Sequence, residues 1–263
     1  MNKQILFFDI DGTLIPQRSD SLPASAANAI SLARENGHIA VVNTARTYSS
    51  IQDCLKKYPF DGYICGCSTN IILNGESVYT NRFPDDVCNM IVDGLLKYGF
   101  EAFIEGTDDI YSIRERFRIP AMEEFRKYYE KRGLCCTRFA GEDRLIFDKF
   151  IYMTEDADKS EEFLSEIKGH VDIIRHGHGV YECPPKGCTK AVGMSILADC
   201  FHIDMKDTWA FGDSLNDQEM LSVAGHGVVM GVHASELEQY AEIITDNVEN
   251  DGLAKALKKA GLI

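Results

Sequence analysis

At 263 residues, with 45% apolar and 26% charged side chains, the chain is long enough for one large core or two domains and has the composition of an ordinary globular protein. A formal charge of −14, without the clustered Lys and Arg that a phosphate backbone demands, argues against a nucleic-acid partner and is compatible with a small metal-chelated phosphate ester. No basic region followed by an apolar stretch and a cleavage site opens the sequence, and no apolar run approaches the roughly 20 residues of a membrane span, so the expected location is the cytoplasm, with no membrane partner.

The first element is a run of large apolar residues, Ile5-Leu6-Phe7-Phe8, that stops at Asp9-Ile10-Asp11-Gly12-Thr13-Leu14. Four consecutive apolar residues fit a parallel strand covered on both faces, and ligands gather beyond the carboxyl ends of such strands. Two-residue periodicity sends both carboxylates to one side, and Gly12 gives the chain freedom to turn away. Two acids this close call for a positive partner, and a hard divalent cation is one solution. Taken alone, Asp-x-Asp-Gly also fits a helix cap or a calcium loop.

Ala24 to Asn36 has helical spacing with Gly37 as its stop, and His38 to Val42 is a second strand ending in Asn43-Thr44-Ala45-Arg46. Thr47 to Tyr58 reads as a helix and Gly62 to Gly66 as a third strand, which gives the alternation of a doubly wound sheet. Ile71 to Tyr79 then breaks the alternation with an Asn74-Gly75 turn between short apolar runs, a β-hairpin. From Pro84 the pattern changes again: helices over 84–98, 120–132 and 159–168 are interleaved with strands near 100–104, 110–113, 147–153, 171–175 and 180–183. Pro84 and Pro120 suit first helical turns. This reads as an α+β insert with an antiparallel sheet, spanning 83–185 and bounded by Arg82-Phe83-Pro84 and Pro184-Pro185-Lys186-Gly187. The doubly wound pattern then resumes with a helix over 189–201 and the strand Thr208 to Phe211, which ends in Gly212-Asp213-Ser214-Leu215-Asn216-Asp217. A helix, a strand over 227–230, a short helix, a strand over 242–245 and a final helix follow. The expected fold is therefore a Rossmann-like doubly wound parallel core, 1–82 with 186–263, interrupted by an inserted α+β domain.

Nine cysteines are an odd number, and Cys65/Cys67 and Cys135/Cys136 lack a matching pair at zinc-ribbon spacing, so reduced thiols are expected. His176 and His178 lie in a turn between strands, which outweighs a metal-binding reading.

Four stretches now stand in order at strand ends or helix starts: Asp9-Ile10-Asp11-Gly12-Thr13-Leu14; Thr44; Lys190; and Gly212-Asp213-x-x-Asn216-Asp217. They resemble the four signatures of the haloacid dehalogenase superfamily of phosphotransferases. The insert between the second and third resembles the large α/β cap of the Cof-like branch. The resemblance spans essentially the whole chain, to Thr245-Asp246 and Asn250-Asp251-Gly252. It departs where Ala45 replaces the glycine of a Thr-Gly-Arg motif, where Gly66-Cys67-Ser68-Thr69-Asn70 stands for Asn-Gly-Ala, and where Gly231-Val232-His233 stands for Gly-Asn-Ala.

The resemblance implies a magnesium-dependent phosphatase of small phosphorylated metabolites, such as sugar phosphates or nucleotide-derived cofactor phosphates. It makes Asp9 the nucleophile that becomes an aspartyl-phosphate and Asp11 the general acid and base. Thr44 and Lys190 would bind the phosphoryl group, with Gly12, Ala45, Arg46 and Asn216 as further phosphate or substrate contacts. Magnesium would be held by Asp9, the main-chain carbonyl of Asp11 and Asp213, with Asn216 and Asp217 completing the shell or orienting Lys190. A phosphomutase or phosphotransferase would use the same intermediate with an acceptor other than water. A phosphorylated receiver domain would be about half as long and lack the insert, and a non-catalytic metabolite-binding module would not need Asp11.

Overall fold

A computed structural model describes residues 2–17, 19–134 and 145–263. Cys135 and Cys136 lie outside the described residues; among those described, Cys54, Cys65, Cys67, Cys88, Cys183, Cys188 and Cys200 are free thiols. The chain divides into two compact units: Met1–Ala45, Gln52–Val78 and Thr189–Ile263 form one, and Arg46–Ile51 with Tyr79–Cys188 the other.

The first unit opens with β1 (Ile5–Phe8), all of it buried, then α1 (Ala24–Glu35) and β2 (Ile39–Asn43). The helix expected over 47–58 is broken into a 3-10 turn, Tyr48–Ser50, which belongs to the second unit, and a short α2 (Asp53–Lys57) in the first, with Ile51 and Gln52 extended between them. Hydroxyls explain the break. Ser50 Oγ donates to the Thr47 carbonyl at 3.0 Å and Ser49 Oγ to the Gly106 carbonyl at 2.7 Å, side-chain bonds that compete with a helical ladder. Next come β3 (Gly62–Cys65), β4 (Asn70–Leu73) and β5 (Glu76–Thr80), with β4 antiparallel to β3. Asn74 and Gly75 have φ of 52° and 82°, the left-handed pair that a type I′ hairpin turn requires. The other turn, Gly66–Thr69, is unusual in being wholly buried, and Gly66, Cys67 and Ser68 have successive φ of 58°, 56° and 77°. Left-handed conformations cost non-glycine residues about 1–2 kcal/mol each, so this turn is held by its surroundings.

The second unit contains α3 (Asp85–Tyr98), β6 (Glu101–Glu105), β7 (Ile110–Ser112), α4 (Pro120–Lys131), β8 (Lys149–Met153), α5 (Ala157–Ile167), β9 (Ile174–Arg175) and β10 (Val180–Cys183). Its sheet has the order β7-β6-β8-β10-β9 and is antiparallel. The strand expected over 171–175 shrinks to two residues, because beyond an isolated bridge between Val171 and Pro185 the facing Pro184 and Pro185 have no N–H to give a ladder. Alternation sorts the faces. Phe150 and Tyr152 pack with Phe100 against Phe163 of α5, and Phe103, on the opposite face, meets Phe117, ahead of α4, and Tyr129 within it. Lys149 belongs to the Phe103 face, bonded to Glu182 and 3.2 Å from Glu105, and His176 Nε2 lies 2.7 Å from the other oxygen of Glu182.

The first unit resumes with α6 (Lys190–Phe201), β11 (Thr208–Gly212), α7 (Gln218–Val223), β12 (His226–Val229), β13 (Ile243–Ile244) and α8 (Gly252–Lys259). The eight-stranded sheet runs β13-β12-β11-β1-β2-β3-β4-β5, parallel from β13 to β3. Chain order runs outward in one direction from β1 through β3 and in the other from β11 through β13, so β1 and β11 flank a topological switch point. In open α/β sheets ligands bind there, outside the carboxyl ends of the strands.

Candidate active site

Three strand ends deliver the central groups. Asp9 follows β1 and its N–H continues the ladder to the Phe211 carbonyl at 3.0 Å; Thr44 follows β2; Asp213 follows β11. Beyond β11, Ser214 and Asp217 form a capping box, and Asp217 Oδ2 accepts from the N–H groups of Asp213 and Ser214, each at 3.0 Å. Lys190 enters at the first residue of α6, whose N-cap is the Thr189 hydroxyl.

The lysine joins these elements. Its Nζ donates to Asp9 Oδ1 at 2.6 Å, to Asp217 Oδ1 at 2.6 Å and to Asn216 Oδ1 at 3.1 Å, with its side chain 1% exposed. Burial alone would depress its pKa, but Asp217 and Asp9 outweigh that and hold the ammonium charged. Burial pushes the Asp9 carboxyl up to about 8, with Lys190 acting the other way and Asp217 and Asp213 adding repulsion. Asp213 is raised to about 7 by burial and by Asp217, against a bond from Thr13 Oγ1 at 3.1 Å. One ammonium thus faces three carboxyl groups, and the raised values of Asp9 and Asp213 mark the cost of charging them together. Oxygens of Asp9, Asp213 and Asp217 lie within 4.8 Å of one another, an anionic all-oxygen donor set suited to a hard divalent cation.

Each sequence-predicted residue can be placed. Asp9, Asn216, Asp217 and Lys190 form one bonded cluster, and Asp213 shares the acid group. Gly12 has φ of +88°, and an added Cβ would sit 2.5 Å from Asp213 Oδ2, so backbone and acid approach as only glycine allows. Thr44 is buried, its N–H bonded to the Ile64 carbonyl at 2.9 Å, and Ala45 is half-buried beside it. Asp11 is half-buried, its carbonyl accepting from Gln17 Nε2 at 3.0 Å, and its carboxylate is not among the acids of the three-membered group. Arg46 belongs to the second unit, where its Nη1 donates to the Ser50 carbonyl at 3.3 Å and its charge acts on Glu105 and Tyr129. Sequence reasoning missed Thr13, Ser214 and Asn43. Thr13 and Ser214 lie inside signature stretches and were findable there; Asn43 reads as one more strand residue until its Nδ2 is seen on the Lys190 carbonyl at 3.1 Å.

An acid and lysine cluster at the switch point of a doubly wound sheet defines the α/β core of an enzyme. The family model of haloacid dehalogenase-like hydrolases matches residues 6–257. A Haemophilus influenzae protein is 34% identical over 264 residues, covering 98% of each chain. The 5-amino-6-(5-phospho-D-ribitylamino)uracil phosphatase YitU of Bacillus subtilis is 26% identical over 267 residues, covering 97% of this chain and 96% of that one. Among solved structures, the subclass IIB sugar phosphatase BT4131 of this superfamily superposes with a TM-score of 0.82 at 24% identity over 99% of this chain and 100% of its own, a likeness of fold. The chain belongs to the haloacid dehalogenase-like hydrolase family, and it is an enzyme of the phosphatase kind.

Proposed function

We propose that this enzyme is a magnesium-dependent phosphatase of small phosphorylated metabolites, sugar phosphates or nucleotide-derived cofactor phosphates, acting through an aspartyl-phosphate on Asp9. The observation that carries the reading is the buried Lys190 ammonium, 2.6 Å from both Asp9 and Asp217, at the sheet's switch point. Named relatives support the substrate class, since they include a phosphatase of a phosphoribitylamino-uracil and an HMP-PP phosphatase of Yersinia pseudotuberculosis, 24% identical over 237 residues.

A carboxylate oxygen of Asp9 attacks phosphorus as the bond to the ester oxygen breaks, and Asp11 gives that oxygen its proton. In the second half Asp11 takes a proton from water, whose oxygen attacks phosphorus and releases Asp9 and inorganic phosphate. Dividing one displacement into two is the logic of covalent catalysis. Lys190 and the Thr44 hydroxyl stabilise negative charge on the transferring group. Asn216 and Asp217 aim Lys190, and Asp217, whose Oδ2 takes two backbone N–H groups and whose Oδ1 takes the ammonium, can also complete the cation's acid set. Asp9, Asp213 and the Asp11 carbonyl would hold magnesium, which when bound neutralises charge on the phosphoryl oxygens. Arg46, bonded to the Ser50 carbonyl and with its charge acting on Glu105, belongs to the second unit, to which we assign the choice among esters.

Phosphate release from a panel of phosphorylated metabolites, measured with magnesium and after exhaustive chelation, tests the reading. Release that depends on the metal is expected. Turnover that survives chelation, or none from any ester, would overturn it, and transfer to an added alcohol in preference to water would make the enzyme a phosphotransferase.

A further inference from the structure

Lys190 must reach Asp9 and Asp217 at once, and the peptide groups on either side of its Cα are both held from outside the helix that it begins. Asn43, the last residue of β2 and wholly buried, donates Nδ2 to the Lys190 carbonyl at 3.1 Å. Ser68, in the buried turn after β3 and also fully enclosed, donates Oγ to the Thr189 carbonyl. The helix's own bond to that carbonyl, from the Gly193 N–H, is long at 3.4 Å, so the serine hydroxyl is its principal donor. The same turn reaches the other phosphoryl-binding residue, because the Cys67 N–H donates to the Thr44 carbonyl at 3.1 Å. Space between turn and helix is minimal: a Cβ on Gly193 would lie 2.6 Å from Ser68 Oγ. Three successive left-handed residues, two of them not glycine, bring these donors to bear.

We propose that Ser68, supported by Asn43, is a positioning residue: the strained turn Gly66–Thr69 couples the Thr44 carbonyl to the Thr189 carbonyl and so makes the Thr44 hydroxyl and the Lys190 ammonium converge on one phosphoryl group. The proposal rests on the reading of Thr44 and Lys190 as phosphoryl ligands. It assigns to the turn a function that hairpin geometry alone does not need, since a glycine or asparagine would adopt φ of 77° more readily than Ser68 does.

The test compares Ser68→Ala, Ser68→Gly and Ser77→Ala in the full chain, by calorimetric titration with inorganic phosphate in magnesium, steady-state turnover of an aryl phosphate, and thermal melting. Ser77 bonds Asn70 Oδ1 at 2.6 Å in the same hairpin and controls for damage there. Both Ser68 variants should bind phosphate and turn over roughly 10- to 100-fold less well, the scale of loss from an ångström of misplacement. Ser77→Ala should match wild type. Glycine relieves the left-handed strain, so Ser68→Gly should melt above Ser68→Ala yet regain no phosphate affinity; a merely structural serine would regain both together. If Ser68→Ala does not fold, Ser68→Gly carries the same comparison. Phosphate affinity within twofold of wild type in either variant would overturn the proposal. A wild-type chain that binds phosphate but cleaves no ester would overturn the phosphatase reading alone, with the clamp still judged by phosphate affinity; one that does neither would overturn both.

Discussion

Asp9 and Asp11 stand one residue apart in different surroundings, the first 5% exposed and bonded to Lys190, the second half-buried. They should fail differently. With Asp9 as the proposed nucleophile, Asp9→Asn keeps the shape and removes that nucleophile, so no phosphoenzyme should form and turnover should fall to background. With Asp11 as the proposed general acid, Asp11→Asn should keep the nucleophile and lose the proton, at a cost of roughly 100- to 10,000-fold on an ester with a poor leaving group. An activated aryl phosphate should still phosphorylate the Asp11 variant, and the label should persist because water is no longer activated. Rapid quench and peptide mapping check this; label on Asp11, or a labelled Asp9→Asn variant, would contradict it. At Gly12, alanine would need φ of +88° and a Cβ inside Asp213, so Gly12→Ala should lack the thermal stabilisation expected from magnesium at the proposed site in the parent enzyme. An undiminished shift in a magnesium titration would refute that.

At the scale of elements, Gly193 tests whether α6 is placed by its own propensity or by its neighbours. Propensity predicts that Gly→Ala in a helix interior gains up to about 1 kcal/mol. Contact predicts the opposite, because the new methyl would meet Ser68 and Ile64, and overpacking of this kind costs roughly 1–3 kcal/mol. Gly193→Ala should therefore unfold at lower urea, and a raised midpoint would show that the turn yields. The same contrast separates what the sequence disclosed from what it hid. Apolar runs such as Ile5–Phe8 and Thr208–Gly212 announce buried parallel strands, and the polar residues that follow them mark the site, because strand ends in a doubly wound sheet are where the backbone stops being covered. The break in the 47–58 helix, the Ser68 bond and the duties of Asn43 were hidden, since each depends on an acceptor far away in the chain: Ser49 on Gly106, Ser68 on Thr189, Asn43 on Lys190. Hydroxyls and amides carry no periodicity, so local pattern cannot show which carbonyl they find.

For the whole molecule, stability should respond to two ions in two places. At the site proposed for it, magnesium would bind only the folded acid cluster and should raise melting by mass action, about 2.7 kcal/mol at a hundredfold excess over its dissociation constant. The sole tryptophan, Trp209 of β11, lies in the unit that carries the acids, so its fluorescence melt should move when magnesium is added to a chelated sample. Protons act on the second unit through Glu182. Burial opposes its charge, yet Lys149 and His176 hold its carboxyl at about 2, below the ordinary 4.5. A depressed carboxyl stabilises the fold above its unfolded pKa and ceases to do so as pH falls from 4.5 to about 2, a contribution on the order of 3 kcal/mol. Glu105, which shares Lys149, runs the other way: burial raises it, so its protonation favours the folded state and softens the acid loss. Glu182→Gln isolates the first term. Urea unfolding followed by far-UV circular dichroism should find the variant less stable than wild type at pH 7 and the difference shrinking toward pH 3. A gap that stays constant with pH would mean that Lys149 is balanced by Glu105 alone and that the Glu182 carboxylate adds shape without charge.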